Sequence, residues 1–215
     1  MKKSRILATS LLMLTLVSCV SERHEVTETI WNDTFQNWNL TNATVVYDYV
    51  SGDIHQTMIA KAESTSKYYD KLDLGEAFIE AFGYVEDGKY YSISMISGIN
   101  ENYVRNEITK ESFEISLKAM PLSFITTPYF ANMVKDKYSS FTYDGSKGSY
   151  GGAVDVSIDQ TSSEGTAEVK FSNDELISIE VITNQDGATT TITLKDIGST
   201  KITLPTNVED GKLSI

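Results

Sequence analysis

The sequence predicts an α+β domain: one large curved antiparallel sheet, an incomplete β-barrel, with two or three helices packed on its concave face. Three observations carry that expectation. Runs rich in β-branched and aromatic residues occupy 43–96 and 139–194, many with the two-residue alternation of half-buried strands. Between them lies a segment whose apolar residues recur at helical spacing. Asp-Gly and Asn-Asp pairs punctuate the strand runs at hairpin intervals. Strands and helices are thus segregated along the chain, which is the order of an α+β fold.

The elements follow in order. Trp31, Phe35 and Trp38 fall at i, i+4 and i+7, one face of a helix expected from Glu28 to Leu40. That segment carries no Lys or Arg, so a helix that covers the core is favoured over one that lies on a membrane. From Ala43 the period changes. Thr44 to Val50 reads as a strand, Ser51-Gly52-Asp53 as a turn, and Ile54 to Glu63 alternates. Lys67 to Leu72 extends the sheet, and Ala77 to Val85 and Lys89 to Ile96 flank Glu86-Asp87-Gly88, the strongest hairpin signal in the chain.

The middle reads as helical. Thr109 stands where a capping hydroxyl is needed, and Phe113, Leu117 and Met120 follow at helical spacing until Pro121 interrupts. Leu122 to Ile125 is an apolar connector. Thr127 before Pro128 suggests a cap ahead of a first-turn proline, with Phe130, Met133 and Val134 forming the next stripe. The last third predicts a meander of Ser139–Tyr143, Ala153–Ile158, Gly165–Phe171, Leu176–Thr183 and Thr189–Leu194, with Ile202 to Leu204 as an edge or strand end before Pro205. The glycine-rich stretch 144–152 reads as a long hairpin loop, since it lacks the spacing of a phosphate-binding loop.

Composition narrows the function. The net charge is −12, and about −15 once residues 1–18 are set aside, because that leader holds three basic residues and no acids. Such a chain repels nucleic acid and anionic headgroups, so neither is an expected partner. The leader has Lys2, Lys3 and Arg5 before an apolar run from Ile6 to Val17, too short to span a bilayer and suited to a signal peptide. The single cysteine, Cys19, follows Leu16-Val17-Ser18 directly.

That tetrad resembles the lipobox of bacterial lipoproteins. The resemblance implies a diacylglycerol thioether on Cys19 and cleavage before it. The expected organisation is a signal peptide over 1–18, a lipidated N-terminus and tether over 19–29, and one β-rich domain over 30–215. It further implies an extracytoplasmic protein, lipid-anchored to the cell membrane, or to the outer membrane of a diderm. Two or more acyl chains hold a protein stably without a transmembrane helix.

Little points to covalent chemistry. The chain has two histidines, His24 in the tether and His55 in a strand, too few for a paired-histidine metal site. Ser64-Thr65-Ser66-Lys67 matches Ser-x-x-Lys, yet it sits in strand context without companion motifs. A non-enzymatic protein with no cofactor and no metal is therefore expected. Tyr68-Tyr69, Tyr90-Tyr91 and Tyr150 offer an aromatic platform for a glycan, although tyrosine also simply favours strands.

The order of strands, helices and strands, with the lipidated leader and the ending Ile197-Gly198-Ser199-Thr200-Lys201-Ile202-Thr203-Leu204-Pro205, resembles bacterial lipoproteins of the LolA, LolB and LppX type. The resemblance spans about residues 28–208. It implies a half-barrel whose helices cover the concave face, and a lipid or other apolar ligand between them. It carries over no ligand-contact residue. The middle helices supply candidate cavity residues, Phe113, Leu117, Met120, Phe124, Phe130 and Met133. A filled core, with an envelope protein or glycan as partner, stands as the alternative, because volume is not legible in sequence.

Overall fold

The computed structural model describes residues 25–99, 102–158 and 161–211. The leader, Cys19 and His24 lie outside the described residues. Twelve strands form one open sheet, accompanied by four short α-helical segments, of which the two longest have nine residues each. Helix α1 is Glu28–Gln36. Strands β1 Ala43–Ser51, β2 Ile54–Ser64, β3 Lys67–Asp73, β4 Phe78–Glu86, β5 Lys89–Ile96 and β6 Tyr103–Ile108 form a first meander. Helices α2 Lys110–Lys118, α3 Ser123–Thr126 and α4 Tyr129–Val134 follow. The second meander is β7 Thr142–Asp144, β8 Ser149–Ile158, β9 Thr161–Ser172, β10 Glu175–Gln185 and β11 Ala188–Lys195, and a last strand, β12, is Val208–Asp210.

The order across the sheet is β12-β6-β5-β4-β3-β2-β1-β11-β10-β9-β8-β7. Two hairpin meanders are therefore joined where β11 pairs with β1, in register from Thr44 opposite Lys195 to Ser51 opposite Ala188. All pairings are antiparallel except that of β12 with β6, so the expected large antiparallel sheet is present, with one short parallel pair at an edge. The helices pack on a single face: α2 touches β5, α3 touches β1 and α4 touches β8. Those strands stand four places apart in the sheet, so the sheet curves around the helix layer.

Apolar periodicity explains the packing. Val45 and Ala43 of β1, Ala60 and Ala62 of β2, Ile179 and Val181 of β10, and Ile192 and Leu194 of β11 are all fully buried on the helix-bearing face. They meet Phe113, Phe124, Ile125, Phe130 and Val134 from the helices. Trp31 is completely buried, its ring 5.0 Å from Phe35 and from Phe141 and 5.3 Å from Tyr150. Its indole N–H donates to the Val134 carbonyl at 3.1 Å, which ties α1 to the end of α4 and satisfies the polar end of the ring.

Local rules place the helix starts. The hydroxyls of Thr27 and Thr109 accept the N–H of Ile30 and Ser112, at 3.3 and 3.0 Å, relieving donors that a helix leaves open. Thr127 is not such a cap. Its hydroxyl donates backward to the Ser123 carbonyl at 2.7 Å, and α4 begins at Tyr129 with Pro128 in the cap position and no side-chain cap bond. The expected connector 122–125 is helical: Phe124 and Ile125 are buried, and tight bonds from the Phe124 and Ile125 N–H groups to Pro121 and Leu122 settle its backbone away from water. Helix α1 ends at Gln36, so Trp38 lies beyond it, stacked on Phe35 and donating to the Thr127 carbonyl at 3.2 Å.

Other boundaries moved for physical reasons. Val26 is buried, and its carbonyl accepts the hydroxyls of both Tyr138 and Tyr150, at 2.9 and 3.0 Å, so the folded part takes in residues assigned to the tether. In place of a strand from Ser139, Tyr138–Ser140 is a 3₁₀ turn before the short β7. The glycine-rich loop contracts to a turn at 145–148, held by Asp144 Oδ1 accepting the Ser146 N–H at 2.9 Å. Ser149 to Gly152 already belong to β8. A Cβ at Gly152 would stand 2.8 Å from the Phe141 ring, so this glycine admits an aromatic side chain onto the strand. At the β4–β5 turn, Asp87 and Gly88 both have positive φ, 50° and 76°, as the two-residue hairpin requires.

Strand β6, Tyr-Val-Arg-Asn-Glu-Ile, lacks any clean alternation and was not legible; it is a strand because β5 and β12 pair with it. Ile202 to Leu204 is not a strand. The segment crosses the outer face, where the Ile202 N–H donates to Glu63 Oε2 at 2.9 Å. Ile202 there closes a second small core with Phe82, Tyr84 and Ile93, packed by Tyr69, Tyr91, Tyr103, Leu204 and Val208.

Candidate functional site

Alternation and register decide which side chains share the helix-bearing face. The row Val45, Ala60, Asp70, Ala81, Ser94 runs from β1 to β5. One row further out come Tyr47, Met58, Leu72, Ile79 and Ile96, with Ile192 of β11 beside Tyr47. The helices are too short to cover the whole face. Met58, Leu72 and Ile96 are half-buried and Ile79 is 41% exposed, so an apolar trough extends beyond the helix layer.

The second meander completes this trough. A cavity of about 400 Å³, as polar as it is apolar, is lined by Tyr47, Tyr49 and Ser51 of β1, Ala188 and Thr190 of β11, Thr183 and Gln185 of β10, Asp186 of the turn between them, and Ser163 and Ile158 of β9 and β8. Five adjacent strands contribute to one concavity, a direct consequence of the sheet's curvature. Tyr47 stacks on Phe124 with ring centroids 6.4 Å apart, and Phe124 touches Tyr129 at 4.5 Å, so Tyr47 links the cavity wall to the aromatic edge of the helix layer. The Tyr129 hydroxyl is buried with no hydrogen-bond partner, and burial together with Tyr47 pushes its pKa up to about 12.

Asp70 is the exception on this face. Among the described side chains of β1–β6 and β8–β11, it is the one charged group that register turns toward the helices. It makes no hydrogen bond and no ion pair, and burial raises its pKa to about 6. The other acids of these strands point outward, where Asp48 holds His55 at 2.7 Å, Glu63 pairs with Lys67 at 3.1 Å and Glu168 with Lys170 at 2.7 Å. The Tyr69 and Tyr103 hydroxyls both donate to Glu80 on that outer face.

The six expected cavity residues separate into three groups. Phe113, Phe124, Phe130 and Met133 are buried in the packed core, Phe113 between Tyr68 and Tyr90 at 5.1 and 5.3 Å. Leu117 lines a different, mainly apolar cavity of about 380 Å³, bounded by Leu40, Ala62 and Thr126. Met120 lies past α2 and is 37% exposed. Sequence reasoning missed Tyr47, Tyr49 and Asp70. The signal was present for Asp70: an acid stands at an inward position of Lys67–Asp73, between Tyr68 and Leu72.

The remaining candidates do not assemble. His55 is exposed on the outer face. Ser64 Oγ bonds to Ser66, and Lys67 pairs with Glu63, so the Ser-x-x-Lys pair spans a turn without meeting. The tyrosine platform dissolves: Tyr68 and Tyr150 are buried, Tyr90 packs on Phe113, and Tyr69 and Tyr91 pack under the 202–208 segment. A wider depression of about 630 Å³ is polar, flanked by Asp155, Glu164, Thr166 and Asn184 of the outer face. Among the described residues, no group of three or more His, Cys, Asp or Glu side chains is placed to hold a metal ion, and no helix is long and apolar enough to cross a membrane. No protein-family model matches the chain, and no curated protein matches it at a significant level.

Proposed function

We propose that this protein is a non-enzymatic, extracytoplasmic lipoprotein, anchored through Cys19, that holds a lipid or other apolar ligand in the trough of its half-barrel. The observation that carries the reading is the incomplete cover of the helix-bearing face. Tyr47, Tyr49, Met58, Leu72 and Ile79 stay accessible on the concave side of a sheet whose other inward rows are packed. Concave, mostly apolar sites with a few polar groups are the usual form of small-molecule sites. The binding region moves to the open end of the strands, away from Phe113, Phe124, Phe130 and Met133, which are buried in the packed core.

The test separates a bound lipid from an attached one. The full chain carrying Cys19→Ser is purified, extracted with organic solvent, and the extract examined by mass spectrometry. A stoichiometric lipid is the expected result, together with loss of detergent partitioning relative to the wild type. A clean extract, with no rise in Tm on adding lipids, overturns the carrier reading in favour of an envelope-interaction module with a filled core. Unchanged partitioning overturns the anchor.

A further inference from the structure

We infer that Asp70 is the recognition point for a positively charged amine on the ligand of the trough, so that the ligand is a cationic amphiphile instead of a neutral or acidic lipid. The inference rests on the reading of the trough as a binding site and names the chemistry that site selects. Its ground is placement. A chain with 30 acidic residues turns one of them toward the helices from ten strands, and leaves that one without a partner. A half-buried carboxylate with no hydrogen bond or ion pair is partly desolvated, a cost that pairing with a cationic ligand offsets.

The surroundings fit a ligand headgroup. On one side of Asp70 in its row stands Ala60, fully buried under the helix layer; on the other stand Ala81 and then Ser94, short and only half-buried, so the open side of the carboxylate lies over β4 and β5. Just outside that row, Met58 and Leu72 begin the apolar trough, which continues to Tyr47. Strands β3 and β1 are two places apart, about 10 Å across the sheet. A ligand with its amine at Asp70 therefore lays its apolar part along Ile79, Leu72 and Met58 as far as Tyr47, at the rim of the more polar cavity that Gln185 and Asp186 also line. Half-burial keeps the Asp70 carboxylate reachable while strengthening its attraction for a cation relative to open water. No lysine or arginine on these strands faces it, so nothing in the sheet competes for the position.

Calorimetric titration with three probes of equal chain length decides the matter: dodecylamine, dodecanol and dodecanoate, each below its micelle concentration, at pH 7.5. The proteins are the full-length wild type, Asp70→Asn, and Glu164→Gln, which removes an exposed carboxylate from the opposite face. The wild type is expected to bind dodecylamine at least about tenfold more tightly than dodecanol, with dodecanoate weakest. Asp70→Asn is expected to abolish that preference while keeping dodecanol affinity, and Glu164→Gln to preserve it. Equal binding of amine and alcohol by the wild type overturns the assignment of Asp70 and leaves the trough standing. So does a preference that survives in Asp70→Asn or disappears in Glu164→Gln, which marks general attraction to an acidic protein. Absence of binding by all three probes overturns the trough and this inference together.

Discussion

The ring of Tyr68 lies across Gly83 of the neighbouring strand, so close that a Cβ at Gly83 would stand 2.1 Å from Tyr68 Cε1. The pair sits opposite in the β3–β4 register, and the ring so placed packs against Phe113. The glycine is thus the seat on which α2 docks.

Gly83→Ala is expected to destabilise the fold by about 1–3 kcal/mol, because the ring must leave its place in a packed core. Urea unfolding measures this. Tyr68→Ala removes the obstruction, so the double variant is expected to be clearly more stable than the sum of the two single losses predicts.

The Val26 carbonyl accepts from Tyr138 and Tyr150. Either Tyr→Phe change leaves it one donor and is expected to cost about 0.5–1.5 kcal/mol. Both together strand a buried acceptor, and the combined loss should exceed the sum, read by a double-mutant cycle on thermal unfolding. Additive losses would mean that water replaces the missing donor.

Asp70 titrates near pH 6 in the folded protein against about 3.8 unfolded. The folded state therefore binds more protons between those values, and this group's contribution falls as pH rises from about 4 to 6. Asp70→Asn removes the effect, so its stability relative to the wild type should climb through that window and level off near 2 to 3 kcal/mol above pH 7. The carboxylates held low by their partners, Asp48, Glu63, Asp73, Asp144 and Glu168, lose their stabilising effect as pH falls, but they cancel in the difference. A flat difference curve would contradict the burial of Asp70.

Ile202 fixes the 202–208 segment to the outer face. Ile202→Ala is expected to cost about 2–4 kcal/mol and to speed hydrogen exchange at the Tyr103 N–H, which bonds to the Asn207 carbonyl. Unaltered exchange there would show that β12 holds without its hydrophobic tie.

Short-range chemistry was the legible part. Thr109, Asp87-Gly88 and the alternation of Ile54–Ser64 each act within a few residues, so spacing alone reveals them. What escaped depends on distant chain. Strand β6 exists through its neighbours, α3 is helical because Phe124 and Ile125 are drawn into the core, and Gly152 matters because of Phe141. The candidate site was displaced for the same reason: the stripe of Phe113, Phe124, Phe130 and Met133 marks where helices meet the sheet, while the space left over depends on how far those helices reach. Periodicity describes faces, and cavities arise where faces fail to meet.

The pairing of β12 with β6 has a consequence in time. Strand β6 ends at Ile108 and its outer partner begins at Val208, so about a hundred residues must emerge before that edge is closed. Strand β1 likewise waits for β11, some 140 residues later. A chain delivered from its N-terminus presents a half-sheet with bare hydrogen-bonding edges on both sides from Ile108 until β11 begins at Ala188. A chaperone that meets the chain before it is complete must shield those two edges until the last strand arrives.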